Sequence, residues 1–133
     1  MLTFPVRVAS IDVGSNALRF LAAEFTSSSH FSVLKQDRYP LRLGHDVFQL
    51  GRMKDNTIES AIQGIKIFNN YLKDFKIEIY KAIATSAVRE SKNGEELIDR
   101  VRKEVGITLE KISGDEELQF IYISVKNRHH LRD

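Results

Sequence analysis

Three short polar stretches, each following an apolar run, hold the residues best suited to chemistry: Asp12-Val13-Gly14-Ser15-Asn16, Thr85-Ser86-Ala87-Val88-Arg89-Glu90 and Ser113-Gly114-Asp115-Glu116-Glu117. In the first, a small turn follows Val6, Val8 and Ile11 and precedes a second apolar run, so consecutive main-chain amides at Gly14, Ser15 and Asn16 can converge on an anion. Gly14 supplies the backbone freedom of a tight corner. The same residues also make an ordinary hairpin turn. What adds function is Asp12, an acid at the mouth of an apolar strand, placed to hold a metal ion or its waters beside a bound phosphate.

The third stretch offers a carboxylate. With Ser113 as helix N-cap, Glu116 occupies the third helical position and reaches back to the cap. Glu117 lies one residue on, turned about 100° around the axis, and is the freer acid. Such a group can orient a water and accept its proton as a bond to phosphorus forms. Phosphate transfer also needs amides around the oxygens, a cation, and an arginine for developing charge. Gly14 to Asn16, Asp12 with magnesium, and Arg89 fill those places. Arg42, in the glycine-bounded stretch Pro40 to Gly51, is a further anion-binding candidate.

The elements that must position these groups follow from periodicity. Alternating runs from Val6, from Leu18 and from Phe31 predict a three-stranded antiparallel meander ending at Pro40. Pro40 to Gly51 has no clear period and reads as an ordered loop. Ile58, Ala61, Ile62, Ile65, Phe68, Leu72 and Phe75 share one helical face, with Asn56 and Glu59 as a capping box. A strand over Ile77 to Ala84 follows, then a helix opened by Asn93 and Glu96 and closed by Gly106, and a strand over Ile107 to Ile112. Leu118, Ile121, Tyr122 and Val125 give a last apolar helix face. The order β-β-β-α-β-α-β-α predicts an α/β lobe, a mixed sheet flanked by helices, with ligands at the carboxyl ends of its strands. Residues 1–126 form this lobe, and 127–133 a polar tail.

Composition sets the remaining bounds. The 133 residues suit one domain with a real core, and 42% hydrophobic with 29% charged residues describes a globular chain. A net charge of +2, without a basic stripe interleaved with aromatics, argues against nucleic acid. The absence of cysteine excludes thiol catalysis and Cys-based zinc sites. With no long apolar span or leader-like segment, no membrane role and a cytoplasmic location are expected. His129-His130 reads as a solvated end, since adjacent residues do not share a helical face.

Taken in order, Ile11-Asp12-Val13-Gly14-Ser15-Asn16-Ala17-Leu18-Arg19, Ala84 to Glu90, and Ile112 to Glu117 resemble the exopolyphosphatase and guanosine pentaphosphate phosphohydrolase (Ppx/GppA) family. The resemblance runs from about Val6 to Val125. It implies a ribonuclease H-like lobe of the actin, sugar-kinase and chaperone-ATPase superfamily. It also implies magnesium-dependent release of terminal phosphate from inorganic polyphosphate or guanosine pentaphosphate. By similarity, Gly14, Ser15 and Asn16 match the first phosphate loop, Arg89 a phosphate-contacting arginine, Arg42 a basic cleft position, and Glu117 the carboxylate that activates water. Leu118 and His45 to Phe48 depart from the family pattern and bear on substrate preference. A second, Asp-Ile-Gly-Gly-Gly-Ser type phosphate loop is not in the chain, so the expectation is an N-terminal lobe whose cleft needs a C-terminal partner lobe. Alone it is expected to be inactive and prone to pair as a homodimer through exposed apolar surface. Two other readings stand beside hydrolysis: a polyphosphate or nucleotide-binding module without turnover, and an actin-like or sugar-kinase-like ATPase lobe.

Overall fold

The structure, a computed structural model, describes residues 3–112. Strands β1 (Val6–Val13), β2 (Ala17–Ser27), β3 (His30–Pro40), β4 (Ile79–Ala84) and β5 (Glu110–Lys111) form one sheet in the order β3-β2-β1-β4-β5. β1, β2 and β3 are the expected antiparallel meander, whereas β4 lies parallel to β1 and β5 parallel to β4. The three parallel strands therefore end along one edge, where Val13 pairs with Ala84 and Ala84 with Lys111.

Helix α2 (Asp55–Asp74) covers one sheet face, and the periodic residues named above explain why: Ile58, Ala61, Ile62, Ile65, Phe68 and Leu72 are all buried. Ile11 of β1 pairs with Phe20 of β2, whose ring centroid lies 5.4 Å from Phe68 and 5.2 Å from Tyr71. Each large side chain fully removed from water here contributes about 1.5–3 kcal/mol. The close approach of α2 to the sheet requires a glycine, because a Cβ on Gly64 would meet the Tyr39 ring at 2.9 Å.

Two helices lie where the sequence reading placed irregular chain. Within Pro40 to Gly51, α1 (Leu43–Leu50) replaces the expected loop. Leu43, Val47 and Leu50 do have helical spacing, and the glycines that suggested a loop punctuate the helix: Gly44 sits in its first turn, and Gly51 caps its end at φ 74°. The corner after β4 is a five-residue helix, α3 (Ser86–Glu90), before α4 (Gly94–Glu104).

The capping boxes expected at Asn56 and Asn93 are also replaced, and the one expected at Ser113 lies outside the described residues. The cap residue of α2 is Lys54, and no side chain caps it locally. Instead Asp46, brought in by α1, accepts from the Lys54 N–H at 3.0 Å and the Thr57 hydroxyl at 2.5 Å. Asn93 does precede α4, but its amide pairs with the Met53 main chain, accepting at 2.9 Å and donating at 2.8 Å. β5 is shorter than expected; Ile107 and Leu109 enter the core from irregular backbone. Among the described residues, no helix is long and apolar enough to cross a membrane.

Candidate active site

The turn between β1 and β2 is fixed by main-chain bonds on two sides. The Gly14 N–H donates to the Ala17 carbonyl at 3.1 Å and closes the turn. Gly14 does not adopt a positive φ, as Gly51 and Gly106 do; what favours glycine is space, since a Cβ there would lie 3.2 Å from the Ala17 carbonyl oxygen and the turn would have to give by a few tenths of an ångström. The outer side is held by α1 and its lead-in, where the Leu41 N–H donates to the Asn16 carbonyl at 3.3 Å and the Gly44 N–H to the Ser15 carbonyl at 2.9 Å. With Gly14 committed to the turn, the cradle reduces to the Ser15 and Asn16 main chain and the Ser15 hydroxyl.

The corner after β4 forms the neighbouring wall. Thr85 is 2% exposed and donates to the Val13 carbonyl twice, from its N–H at 3.1 Å and its hydroxyl at 3.2 Å. This locks the corner to the end of β1. Ser86 then turns its hydroxyl toward that of Ser15, 3.4 Å away.

Between these walls lies a polar cleft of about 190 Å³, lined by Asp12, Gly14, Ser15, Asn16, Arg19 and Ser86, with Thr85 at its base. Asp12 and Arg19 are cross-strand partners in the β1–β2 ladder, so their side chains leave the same face of the sheet. The cleft thus combines hydroxyls, amides, one carboxylate and one guanidinium in a space suited to a phosphoryl group.

Sequence reasoning had no place for Arg19 or Ser86. The available signal was register: a charged residue in an otherwise apolar strand, as many positions after the turn as Asp12 lies before it, must face that acid across the hairpin.

The other expected residues are placed differently. Arg42 is exposed and sits between the Leu41 and Gly44 anchors, so the main chain holds it beside the turn, although its side chain does not line the cleft. Arg89 also lies off the cleft wall; its guanidinium donates to the Ile112 carbonyl, tying the corner to the end of the last strand. Glu117 and the rest of Ser113 to Glu117 lie outside the described residues.

Burial opposes charge on Asp46, yet the Thr57 hydroxyl and Lys54 N–H outweigh it and hold this carboxyl below its ordinary range. Away from the site, the Tyr71 hydroxyl donates to Asp37 at 2.6 Å, lowering the Asp37 carboxyl and raising the phenol.

A divalent cation fits the cleft's chemistry. Among the described residues, no group of three or more acidic, histidine or cysteine side chains gathers as a metal cage. Magnesium does not need one, since it binds through one or two carboxylates and completes its shell with water and substrate phosphates. Asp12 is the carboxylate positioned for that, and the other oxygen donors nearby are hydroxyls and carbonyls.

Comparison with known proteins agrees with the geometry. The model of the Ppx/GppA phosphatase family matches residues 23–131. A crystal structure of the Aquifex aeolicus family member superposes with a TM-score of 0.85 at 36% identity, covering 92% of this chain and 40% of that one. An exopolyphosphatase from Cytophaga hutchinsonii gives a TM-score of 0.79 at 29% identity over 85% of this chain and 36% of that one. Exopolyphosphatase 1 of Mycobacterium tuberculosis is 28% identical over 121 residues, 91% of this chain and 35% of that protein. The chain thus spans little more than a third of the length of these relatives. Its mixed sheet with flanking helices is the ribonuclease H-like fold of those structures, and the chain belongs to the Ppx/GppA phosphatase family.

Proposed function

We propose that the protein containing this chain releases terminal phosphate from inorganic polyphosphate or guanosine pentaphosphate, and that this lobe forms one wall of the catalytic cleft. The reading rests on one observation: the ends of β1 and β4 bring Asp12, Ser15, Asn16, Arg19 and Ser86 into a single phosphate-sized cleft. Its relatives include proteins named exopolyphosphatase, of which this chain spans about a third, so a second lobe completes the site.

In the proposed reaction the Ser15 and Asn16 main chain and the two serine hydroxyls hold the terminal phosphoryl oxygens. Arg19, with Arg42 at the rim, offsets their charge. Bound through Asp12, magnesium would neutralise phosphate charge and polarise the phosphoryl group. Glu117 takes a proton from water as its oxygen bonds to phosphorus, and the bridging oxygen leaves with the electron pair of the broken P–O bond. Arg89 orders the chain leading into the Glu117 segment. Polyphosphate and guanosine pentaphosphate both present the required anhydride.

The test is phosphate release from each substrate by the full-length protein and by its Glu117→Gln variant, with magnesium present. Loss of about a hundredfold or more in kcat, with substrate still bound, is the expected result. Full activity in the variant removes Glu117 from the mechanism, and binding of both substrates without release by the parent would make the lobe part of a sensor.

A further inference from the structure

The two walls of the phosphate cleft are joined a second time, behind it. At the end of α1 the Gly51 carbonyl accepts from the Lys92 N–H at 2.9 Å, and two residues on the Asn93 amide pairs with both main-chain groups of Met53. A primary amide can do this because it carries a donor and an acceptor side by side, as a peptide group does. The Ser91 hydroxyl donates to the same Asn93 oxygen at 2.6 Å and holds that amide in place. This joint ties the end of α1 to the end of α3. Their beginnings are tied by the Gly44–Ser15 and Thr85–Val13 bonds.

The bonds therefore close a ring. It runs from Ser15 through Gly44 and α1 to Met53, across Asn93 to α3, and through Thr85 and Val13 back to the turn. Inside it lies an open groove of about 360 Å³ between α1 and α3, bordered by Ser15, Gly44, Val47, Gly51, Ser86 and Ala87. Because that space is not filled, packing does not set the separation of the two helices along it; the ties at its ends do. At the cleft end that separation is the 3.4 Å between the Ser15 and Ser86 hydroxyls.

We infer that Asn93 is a positioning residue for phosphoryl transfer: by pairing with the Met53 main chain it holds Ser15 and Ser86 at the spacing that receives the terminal phosphoryl group. The inference rests on the hydrolytic reading above and deepens it, since Asn93 does not itself line the cleft. Its side chain is also not spent on the helix that follows, because α4 has no side-chain cap bond. Asp46 stiffens the same joint from within α1 by holding the N–H of Lys54, the residue after Met53. A reacting group misplaced by about 1 Å costs on the order of a hundredfold in rate, so a partly loosened ring is read as about tenfold.

Two measurements on the full-length protein test this. The first is residue-resolved amide exchange in Asn93→Ala. The Leu41 and Gly44 amides bond to the turn and not to Asn93; their exchange should quicken about tenfold, while amides in the middle of α2 keep the parent rate. The second is a double-mutant cycle on phosphate release. Asn93→Ala should lower kcat/KM about tenfold in the parent but less than about threefold in a Ser86→Ala background, where the hydroxyl it positions is already gone. Asn93→Asp keeps the volume and the acceptor for the Met53 N–H but loses the donor. It should show both effects at smaller size, and it carries the test if the alanine variant does not fold.

Faster exchange confined to Met53 and its neighbours, or equal factors in the two backgrounds, overturns the inference and leaves Asn93 as a local fastening. Phosphate release by the parent is scored separately. A parent without release whose Gly44 amide responds to Asn93→Ala keeps the ring and loses the hydrolytic reading, whereas release with an unresponsive Gly44 amide removes the ring alone.

Discussion

The two corners that leave the parallel strands at the active edge are built in opposite ways. The turn after β1 spends main-chain groups on the fold, the Gly14 N–H and the Ser15, Asn16 and Ala17 carbonyls, but leaves Ser15, Asn16 and Arg19 lining the cleft. The corner after β4 spends nearly all of its polarity. Thr85 is buried and doubly bonded to the Val13 carbonyl, Arg89 is fastened to the Ile112 carbonyl, and only Ser86 is left to face the cleft. In the proposed function one corner receives the anion, and the other holds that corner in place. Residue type does not reveal this division, since each corner carries an arginine and small hydroxylated residues.

The arginines give the sharpest contrast. Arg19→Ala in the full-length protein should lower kcat/KM about a hundredfold, roughly 3 kcal/mol of lost charge stabilisation, with little change in thermal midpoint. Arg89→Ala should show the converse bias at the level of the fold, with about 1.5–3 kcal/mol less stability from a lost charge-assisted bond. Steady-state kinetics and calorimetric unfolding on the same two proteins decide the matter. A destabilised Arg19→Ala with intact catalysis would reverse the roles assigned to the corners.

A second test loosens the support of the receiving corner alone. Asp46 fixes α1 to the start of α2, and α1 carries Gly44 against Ser15. The carboxyl of Asp46 is held below its ordinary value of 3.8 in the folded protein. The folded state therefore favours the ionised form, and the unfolded chain takes up its proton first as pH falls. The resulting stability is complete above the ordinary value and is lost as pH drops through the lowered folded value. Asp46→Asn should cost about 1–2 kcal/mol near neutrality, and the deficit should shrink below about pH 4. Denaturant unfolding across pH measures it, and a deficit independent of pH would mean that the charge contributes nothing.

Most of the fold was legible because it rests on strong periodicities. The meander followed from alternation, and α2 from seven apolar residues at helical spacing, all but Phe75 of them inside the helix. What escaped was short or tertiary. Only three apolar residues of α1, Leu43, Val47 and Leu50, mark its helical face, and its glycines imitate a loop; α3 is too short to show a period. The cap of α2 was illegible because its acceptor, Asp46, comes from another helix. In the cleft, Asp12 and the Ser15–Asn16 turn were readable as local chemistry. Arg19 needed the strand register, and the fastening of Arg89 to Ile112 joins residues that only the β4–β5 pairing brings together.

The smallest effect separates neighbours in the same corner. Thr85→Val keeps the shape and the main-chain bond but removes the hydroxyl that reaches Val13, leaving a buried carbonyl with one donor instead of two. A stability loss of about 1 kcal/mol is expected. Ser86→Ala removes a hydroxyl whose protein contact is a long one, at 3.4 Å to Ser15. It should leave unfolding within about 0.5 kcal/mol of the parent. Because Ser86 borders the phosphate cleft, its loss should instead appear as weaker substrate binding. Parallel unfolding curves for the two variants test the distinction, and a larger loss for Ser86→Ala than for Thr85→Val would show that the hydroxyl pair, not the buried threonine, fastens the edge.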